Sequence, residues 1–239
     1  SARLHLLEIA SHGYLAIALG RIRSGPGAAV PADRPPAPTG APPTGAPPAG
    51  APPALPPPAT DSAGLTAAID WALAQNADPV SPYHGHIDPN AVAVSGFSCG
   101  GLQALQVAKD PRVRTLVIMN SGLFDGASPI PKMNASKTLL QTVHSPVLYV
   151  LGGETDIAYS NGMDDFARLD HVPVAVGNVV GAGHGGTYWE PNGGRAAAAV
   201  VAWLDWQLRG DTRAAKMFVG ERCGLCLDPA WKIQKKGID

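Results

Sequence analysis

The sequence lacks an excess of charge of either sign, and it lacks a long apolar run. Eighteen Lys and Arg residues are balanced by 19 Asp and Glu residues, which gives a formal net charge of −1. A chain this close to neutrality has no broad basic surface for a phosphate backbone, so no nucleic-acid partner is expected. No apolar run reaches the roughly 18–20 residues that span a bilayer, so no membrane span is predicted.

Cysteine is also scarce, with three residues in the chain. Cys223 and Cys226 form a C-x-x-C motif, but no second pair or ligand cluster is present to complete a zinc site. The motif lies in a turn-rich stretch, ERCGLCLDP, and not at the start of a helix after a strand, where a redox pair would lie. We predict a short-loop disulfide formed in an oxidising compartment; two free thiols are the alternative. Cys99 is left over, or pairs with a cysteine outside this chain.

Proline, in contrast, is abundant in one segment. Residues 26–58 hold 14 of the 24 prolines, and GAPP occurs there three times at a five-residue period. Proline fixes φ and removes a backbone donor, so neither helix nor sheet is expected. The sequence therefore predicts a single domain over residues 1–239, interrupted by a flexible Pro/Ala/Gly-rich insertion at about 26–58. A polyproline ligand for another module is the alternative.

Helix and strand patterns alternate through the rest of the chain. Short apolar runs predict strands at 14–19, 91–95, 115–119, 147–151 and 172–180. Helical periodicity predicts helices that end near residue 12 and that cover 65–74, 101–109 and 194–208. Near-continuous apolar strands that alternate with helices are typical of an α/β fold, in which a parallel sheet is covered on both faces.

Residues 94–102 read VSGFSCGGL, and Gly96, Ser98 and Gly100 make a G-x-S-x-G motif. A predicted strand precedes the motif and a predicted helix follows it, which is the context of a nucleophile elbow. Such a tight turn strains the serine backbone and needs small neighbours, and it raises the hydroxyl above the carboxyl edge of the sheet. The alternative interpretation is a plain glycine-rich turn.

A serine nucleophile needs a base that is oriented by an acid, and in this context the chain order is Ser, acid, His. The predicted strand VLYVL runs into GGETD, so Asp156 is the predicted acid. The last predicted parallel strand runs into GAGHGG, so His184 is the predicted base. The other histidines precede the serine or lie at the opposite edge of the sheet. The rival acids are Glu154 and then Asp164 or Asp165.

At these residues the chain resembles the α/β-hydrolase superfamily, and more closely its cutinase and polyester-hydrolase branch and related secreted esterases. The resemblance runs nearly end to end apart from the proline segment. Ser98-Cys99-Gly100-Gly101 and the C-x-x-C tail depart from the polyester-hydrolase pattern. The matching stretches are Ala10 to Ile17, Gly96 to Gly101, Pro146 to Asp156 with one extra residue, Gly181 to His184, Trp203-Leu204, Asp211-Thr212-Arg213, Phe218 and Cys223.

The resemblance implies acyl transfer to water without a metal or cofactor. Ser98 would attack an ester carbonyl, His184 would move the proton and Asp156 would hold the imidazole. The backbone N–H of Cys99, next to a helix N-terminus, is a predicted oxyanion donor. Four aromatic residues near these positions are candidate substrate contacts, although each also fits core or rim packing: Phe97, Phe124, Tyr188 and Trp189.

The sequence thus predicts a carboxylic-ester hydrolase acting on small acyl esters or a polyester. A serine peptidase or acyltransferase with the same triad is an alternative, and so is a non-catalytic hydrolase-like binding protein. Secretion is expected from the resemblance and the C-x-x-C motif, and an N-x-S acceptor at Asn134 is consistent with it. The chain itself opens SARLHLLEIA, without the apolar stretch and cleavage site of a signal peptide.

The resemblance also implies that the N-terminal strands of the fold are missing. LHLLEIASHG fits the first helix of the superfamily and YLAIAL fits its fourth strand. The third strand, which in that fold lies between the fourth strand and the strand before the serine, would precede residue 1. We therefore expect residues upstream of residue 1 to supply this strand. Another segment or chain in the gap, or direct pairing of residues 14–19 with residues 91–95, are the alternatives.

Deletion of residues 31–57 tests the predicted insertion. A proline-rich excursion buries little apolar surface, so the melting temperature of the deletion variant is expected to stay within about 2 °C of that of the full chain. Differential scanning calorimetry measures the difference. A loss of several degrees would show that the segment packs on the folded domain.

Overall fold

The computed structural model describes residues 3–20 and 58–239, and its centre is one five-stranded sheet. The strands lie in the order β1-β2-β3-β4-β5, with β1 to β4 parallel and β5 antiparallel to β4. This confirms the predicted mostly parallel α/β sheet. The strands are β1 Val92–Phe97, β2 Val113–Met119, β3 Val147–Leu151, β4 Val174–Val179 and β5 Trp231–Lys236.

Seven α-helices flank this sheet within the described residues. The three predicted crossover and C-terminal helices are present, each within a few residues of its expected bounds. Short 3₁₀ turns cover Lys137–Thr142, Gly183–Gly185 and Pro191–Gly193. The helices are α1 Arg3–Ser11, α2 Ser62–Ala77, α3 Cys99–Gln106, α4 Tyr159–Arg168, α5 Gly194–Arg209, α6 Thr212–Ala215 and α7 Gly224–Leu227.

Alternate residues of each strand feed two separate cores, because side chains on a strand point to opposite faces in turn. Leu116 and Ile118 of β2 pack with α2, α3 and α4 on one face. Val117 and Met119 of the same strand pack with α1 and α5 on the other. Both faces of β3 and β4, and of β2 apart from Arg114, are therefore buried, which explains why their sequences are almost continuously apolar. In β1, by contrast, Ser95 is exposed.

The predicted strand at residues 14–19 is wrong. The segment forms no strand, and among the described residues its backbone makes no hydrogen bond to another backbone group. An apolar run becomes a strand only when a neighbouring strand accepts its backbone groups. Here a cavity separates residues 14–19 from β1, so direct pairing with the serine strand, one of the expected alternatives, does not occur.

Besides the 3₁₀ turns, four elements were not predicted: helices α4, α6 and α7 and strand β5. β5 reads WKIQKK and is half lysine, yet Trp231 is buried and the strand pairs with all of β4. Helix α4 reads YSNGMDDFAR and hides a short apolar face among polar residues. The predicted insertion at about 26–58 falls, apart from residue 58, outside the described residues.

The remaining structural predictions concern the cysteines and the membrane. Cys223 and Cys226 form a disulfide with Cα atoms 4.9 Å apart, and Cys99 is a free, partly buried thiol. None of the helices in residues 3–20 and 58–239 is long and apolar enough to cross a bilayer.

His5 is a buried polar side chain on the inner face of α1. Only 1% of its surface is exposed, and neither ring nitrogen has a hydrogen-bond partner. Its ring stands edge-on to Tyr188, with the ring centroids 5.2 Å apart. Burial lowers the pKa of His5 from 6.5 to about 4, because the protonated imidazole would lose its hydration without gaining a partner.

Replacement of His5 by Phe is expected to change how stability depends on pH. The folded state keeps His5 neutral down to about pH 4, whereas the unfolded chain protonates near pH 6.5. The contribution of neutral His5 to the free energy of unfolding is therefore fully present above pH 6.5. It is lost as the pH falls toward 4, which lowers the free energy of unfolding by about 3 kcal/mol for this one group. Urea unfolding at pH 7 and pH 4 should show a smaller loss in His5→Phe than in wild type. The exposed His86→Phe variant is the control, and an equal loss in all three proteins would contradict the assignment.

Candidate active site

Ser98 lies at the carboxyl end of β1, in the sharp turn that opens α3. Its backbone has φ 53° and ψ −120°, a conformation that residues other than glycine rarely adopt. The turn is held from two sides, because Ser98 N donates to Met119 O at 2.9 Å and Gly101 N donates to Ser98 O at 2.9 Å. This is the strained strand–turn–helix geometry of a nucleophile elbow.

Only one of the two motif glycines is required by close packing. A Cβ at Gly96 would overlap the backbone carbonyl of Gly100, so no other residue fits there without a backbone shift. A Cβ at Gly100 would meet no atom within 4 Å. The expectation that both flanking positions exclude side chains is therefore correct for Gly96 and wrong for Gly100.

His184 bridges the serine to the acid. It lies in the 3₁₀ turn Gly183–Gly185 after β4, and its Nε2 is 3.0 Å from Ser98 Oγ. Its Nδ1 is 2.7 Å from Asp156 Oδ1. The structure thus brings together three distant residues, since Ser98 and Asp156 lie 86 and 28 residues before His184 along the chain.

The Asp156 carboxylate is buried, with 3% of the residue exposed, and it receives four hydrogen bonds. Besides His184, its donors are Ala158 N at 2.9 Å, Gly152 N at 3.0 Å and Asn120 Nδ2 at 2.6 Å. Burial by itself would raise the pKa of Asp156, but the hydrogen bonds outweigh it and lower the pKa below its usual value. Asp156 is therefore a carboxylate at neutral pH and can hold the His184 ring in one tautomer.

The loops that carry the acid and the histidine touch through their backbones. Gly183 N donates to Gly152 O at 2.9 Å, and a Cβ at Gly152 would overlap the carbonyl of Gly183. Glycine is needed at position 152 for this approach. The contact fixes the distance between the end of β3 and the histidine turn, and with it the distance between Asp156 and His184.

Asn120 is a buried residue of the site that sequence reasoning missed. It follows β2 directly and has a positive φ of 45°. Its Nδ2 donates to Asp156 Oδ2 and, at 3.0 Å, to Gly183 O, while Tyr188 donates its hydroxyl to Asn120 Oδ1 at 2.7 Å. One amide side chain therefore holds the acid and the histidine turn together. Its position after a buried strand was the available signal, but no motif marks it.

The predicted oxyanion donor is the first backbone N–H of α3. Among the described residues, neither Cys99 N nor Gly100 N donates to a backbone acceptor. Both groups belong to the turn that begins at Ser98, where the positive end of an eight-residue helix lies next to the hydroxyl. The N–H of Cys99 is thus available to an oxygen bound at the serine.

The four aromatic candidates have different surroundings. The ring of Phe97 lies 5.3 Å from that of His184, at the edge of the site. Trp189 is exposed, and its Nε1 donates to Gly185 O in the histidine turn. Phe124 packs against the core on the α2 side of the sheet. Tyr188 is 1% exposed, so it has no surface to offer a ligand. Its hydroxyl instead donates to Asn120.

The rival acids have other partners. Glu154 is exposed, and Asp164 pairs with Lys137 and Arg168. Asp165 is fully buried and receives Lys137 Nζ at 2.7 Å and Leu123 N at 2.8 Å. Burial raises the pKa of Asp165 to about 6, against the lowering effect of Lys137, and its contacts tie α4 to the loop after β2. None of the three carboxylates touches His184.

The serine, the acid and the histidine follow β1, β3 and β4 at the carboxyl edge of the sheet, in the chain order Ser, Asp, His. The chain has an α/β fold with a mostly parallel five-stranded sheet. No family model matches the sequence, and no curated protein matches it.

Solved structures with α/β folds do resemble it. One is a "Putative Dienelactone Hydrolase" from Klebsiella pneumoniae subsp. pneumoniae MGH 78578, with 17% identity and a TM-score of 0.45 over 63% of this chain and 60% of that one. Another is the esterase domain of a Rhodothermus marinus protein, with 18% identity and a TM-score of 0.44 over 60% of this chain and 68% of that one. The chain thus spans less than two thirds of the first protein's length.

Substitution of Asn120 tests its role as a positioning residue. Asn120→Ala removes a hydrogen bond to a carboxylate, worth about 1.5–3 kcal/mol, so the rate at which a fluorophosphonate labels Ser98 should fall about 10- to 100-fold. Tyr188→Phe keeps the Asn120–Asp156 bond and should slow labelling less. Circular dichroism melts report whether each variant is folded. Equal labelling rates in folded Asn120→Ala and wild type would show that Asp156 does not need this donor.

Proposed function

We propose that the protein is a serine hydrolase that cleaves carboxylic esters through an acyl-enzyme. The observation that carries the proposal is the continuous contact from Ser98 Oγ to His184 Nε2 at 3.0 Å and from His184 Nδ1 to Asp156 Oδ1 at 2.7 Å. A hydroxyl, an imidazole and a buried carboxylate in this order are the groups that nucleophilic acyl transfer requires.

The first half of the reaction acylates the enzyme. Ser98 Oγ attacks the ester carbonyl carbon as His184 Nε2 takes the hydroxyl proton, and Asp156 stabilises the imidazolium. The N–H of Cys99 donates to the oxyanion of the tetrahedral intermediate. The intermediate collapses to the acyl-serine, and His184 returns the proton to the departing alkoxide as the alcohol leaves.

The second half repeats the sequence with water. His184 removes a proton from a water molecule, whose oxygen attacks the acyl carbonyl, and the second tetrahedral intermediate expels Ser98 with return of the proton. The products are a carboxylic acid and the regenerated serine. Every proton transfer in this scheme uses His184, and no step needs a metal or cofactor.

Small acyl esters and polyesters are the proposed substrates. Support comes from the motifs that resemble cutinases and polyester hydrolases, and from Phe97 and the exposed Trp189, apolar side chains beside His184 and its turn. Secretion is the proposed location. The Cys223–Cys226 disulfide supports it, because structural disulfides persist in oxidising compartments.

Substitutions in the three contacting residues test the proposal with p-nitrophenyl esters of increasing chain length. Ser98→Ala and His184→Ala should lose nearly all turnover, and Asp156→Asn should lose several orders of magnitude because it favours the wrong histidine tautomer. Glu154→Gln, two residues away and exposed, is the matched control and should keep wild-type kcat/KM. Fluorophosphonate labelling should be abolished in folded Ser98→Ala. The control variant Ser95→Ala should still be labelled.

Three outcomes would reject parts of this assignment. Labelling that survives Ser98→Ala would place the nucleophile elsewhere. Greater damage from Glu154→Gln than from Asp156→Asn would mean that the acid is wrong. Faster cleavage of peptide amides than of esters would assign the triad to a peptidase, and labelling without turnover of any ester would favour a binding protein.

A further inference from the structure

Asp165 is a buried carboxylate of α4 that the proposed reaction does not use. Its Oδ1 accepts from Lys137 Nζ at 2.7 Å, and its Oδ2 accepts from Leu123 N at 2.8 Å and from the Tyr149 hydroxyl at 3.2 Å. The donors lie on three different elements: the 3₁₀ turn at 137–142, the loop after β2 and strand β3. A charge is kept in the interior only where such partners compensate for its lost hydration, so this carboxylate fixes α4 relative to all three elements.

Lys137 is committed to the same place. Its side chain is 8% exposed, and Nζ donates to Asn161 O at 2.9 Å and to the carboxylates of Asp164 and Asp165 at 2.8 and 2.7 Å. These contacts use all three donors of an ammonium group. The preceding residue, Ser136, forms a β-bridge with the loop after β2. The lysine therefore links α4 to that loop by a second route, and none of its donors is left for a ligand.

The backbones of α4 and of the loop after β2 touch without a side chain between them. A Cβ at Gly122 would lie 2.3 Å from Gly162 N, and a Cβ at Gly162 would lie 2.8 Å from Ser121 O. Because backbone atoms are in contact, no side-chain rearrangement can absorb a displacement of the helix. The bond from Leu123 N to Asp165 keeps this contact closed, one residue further along the loop and about one turn further along α4.

The two segments that the buried carboxylate holds together carry the two partners of another hydrogen bond, the one that supports the acid. Asn120 lies three residues before Leu123, and its Nδ2 donates to Asp156 Oδ2 at 2.6 Å. Asp156 leads directly into α4, since its Oδ1 accepts from Ala158 N and its carbonyl from Tyr159 N, at 2.9 Å each. Movement of α4 away from the loop would therefore separate Asn120 from Asp156.

We propose that Asp165 and Lys137 are positioning residues for the triad. Their ion pair holds α4 against the loop after β2 and so maintains the Asn120–Asp156 hydrogen bond, on which the orientation of His184 depends. The effect on reaction rate rests on the proposed function, whereas the effect on the hydrogen bonds of the site does not. A purely structural pair could be replaced by apolar side chains without changing the site, as buried ion pairs often can.

Single substitutions test the positioning role at pH 8, where Asp165 is ionised because burial raises its pKa to about 6. Asp165→Asn keeps the side-chain shape but turns an amide N–H₂ group toward one of the donors, so the contact to Lys137 or to Leu123 N is lost. The rate of fluorophosphonate labelling at Ser98 should fall about tenfold, within the loss that slight misplacement of a reacting group causes. Asp164→Asn is the matched control, since Asp164 binds the same lysine but is 40% exposed, and it should keep the wild-type rate.

A double-mutant cycle shows whether Asp165 acts through Asn120. In Asn120→Ala the bond that the ion pair maintains is already absent, so the addition of Asp165→Asn should slow labelling by less than about twofold. Effects that multiply would mean that the two residues act independently, and the proposal would be wrong.

Proton NMR reports on the site without any reaction. The Nδ1–H proton of His184, which lies between the ring and Asp156 Oδ1, should give a far-downfield resonance in wild type and in Asp164→Asn. In Asp165→Asn this resonance should broaden or move upfield, because a poorly held carboxylate accepts a weaker hydrogen bond. The readout separates the two proposals: an unlabelled Ser98 in wild type would reject the hydrolase function, while the change in the resonance would still support the positioning role.

A paired replacement separates positioning from stability. Lys137→Met with Asp165→Leu removes both charges together, so this protein is expected to fold even where a single substitution leaves an uncompensated charge. Circular dichroism should show a melting temperature near that of wild type, yet labelling should stay about tenfold slower because Leu123 N has lost its acceptor. Recovery of the wild-type labelling rate together with stability would show that the ion pair serves the fold alone. An unchanged rate and resonance in folded Asp165→Asn would also overturn the proposal.

Discussion

The buried carboxylate of Asp156 is the point on which the site depends. Its four donors come from three connections: Asn120 after β2, Gly152 and Ala158 between β3 and α4, and His184 after β4. Each bond compensates for part of the cost of burying the charge, and together they define where every neighbouring segment must end. A shift in the register of any of these strands would remove at least one donor.

The ends of the parallel strands are also linked to one another beyond the regular ladder. Ser98 N donates to Met119 O, Asn120 N donates to Val150 O, and Gly183 N donates to Gly152 O. The three bonds link the end of β1 to β2, the end of β2 to β3, and the turn after β4 to the end of β3. Two of the donor residues, Ser98 and Asn120, have positive φ, so each strained backbone position is held by a hydrogen bond to the neighbouring strand. The strain at the serine is therefore supported by the sheet and not by the turn alone.

The sequence predicted the parts of this structure that are marked by local patterns. Apolar runs located β1 to β4, and the glycine clusters after them led to Ser98, Asp156 and His184. Asn120 was missed, and Tyr188 was predicted as a substrate contact and not as a donor to Asn120, because their mutual contact joins residues 68 positions apart. The error at residues 14–19 has the same origin, since strand formation depends on a neighbour that the local sequence does not reveal.

The two outer edges of the sheet differ in how they meet solvent. On β5, Lys235 Nζ is bonded to Phe218 O and Gly220 O, and Lys236 Nζ is bonded to Asp170. These tethered ammonium groups, together with exposed Lys232, would place positive charges against any strand that approached from that side. Lateral growth of the sheet into fibrils is thus discouraged at β5.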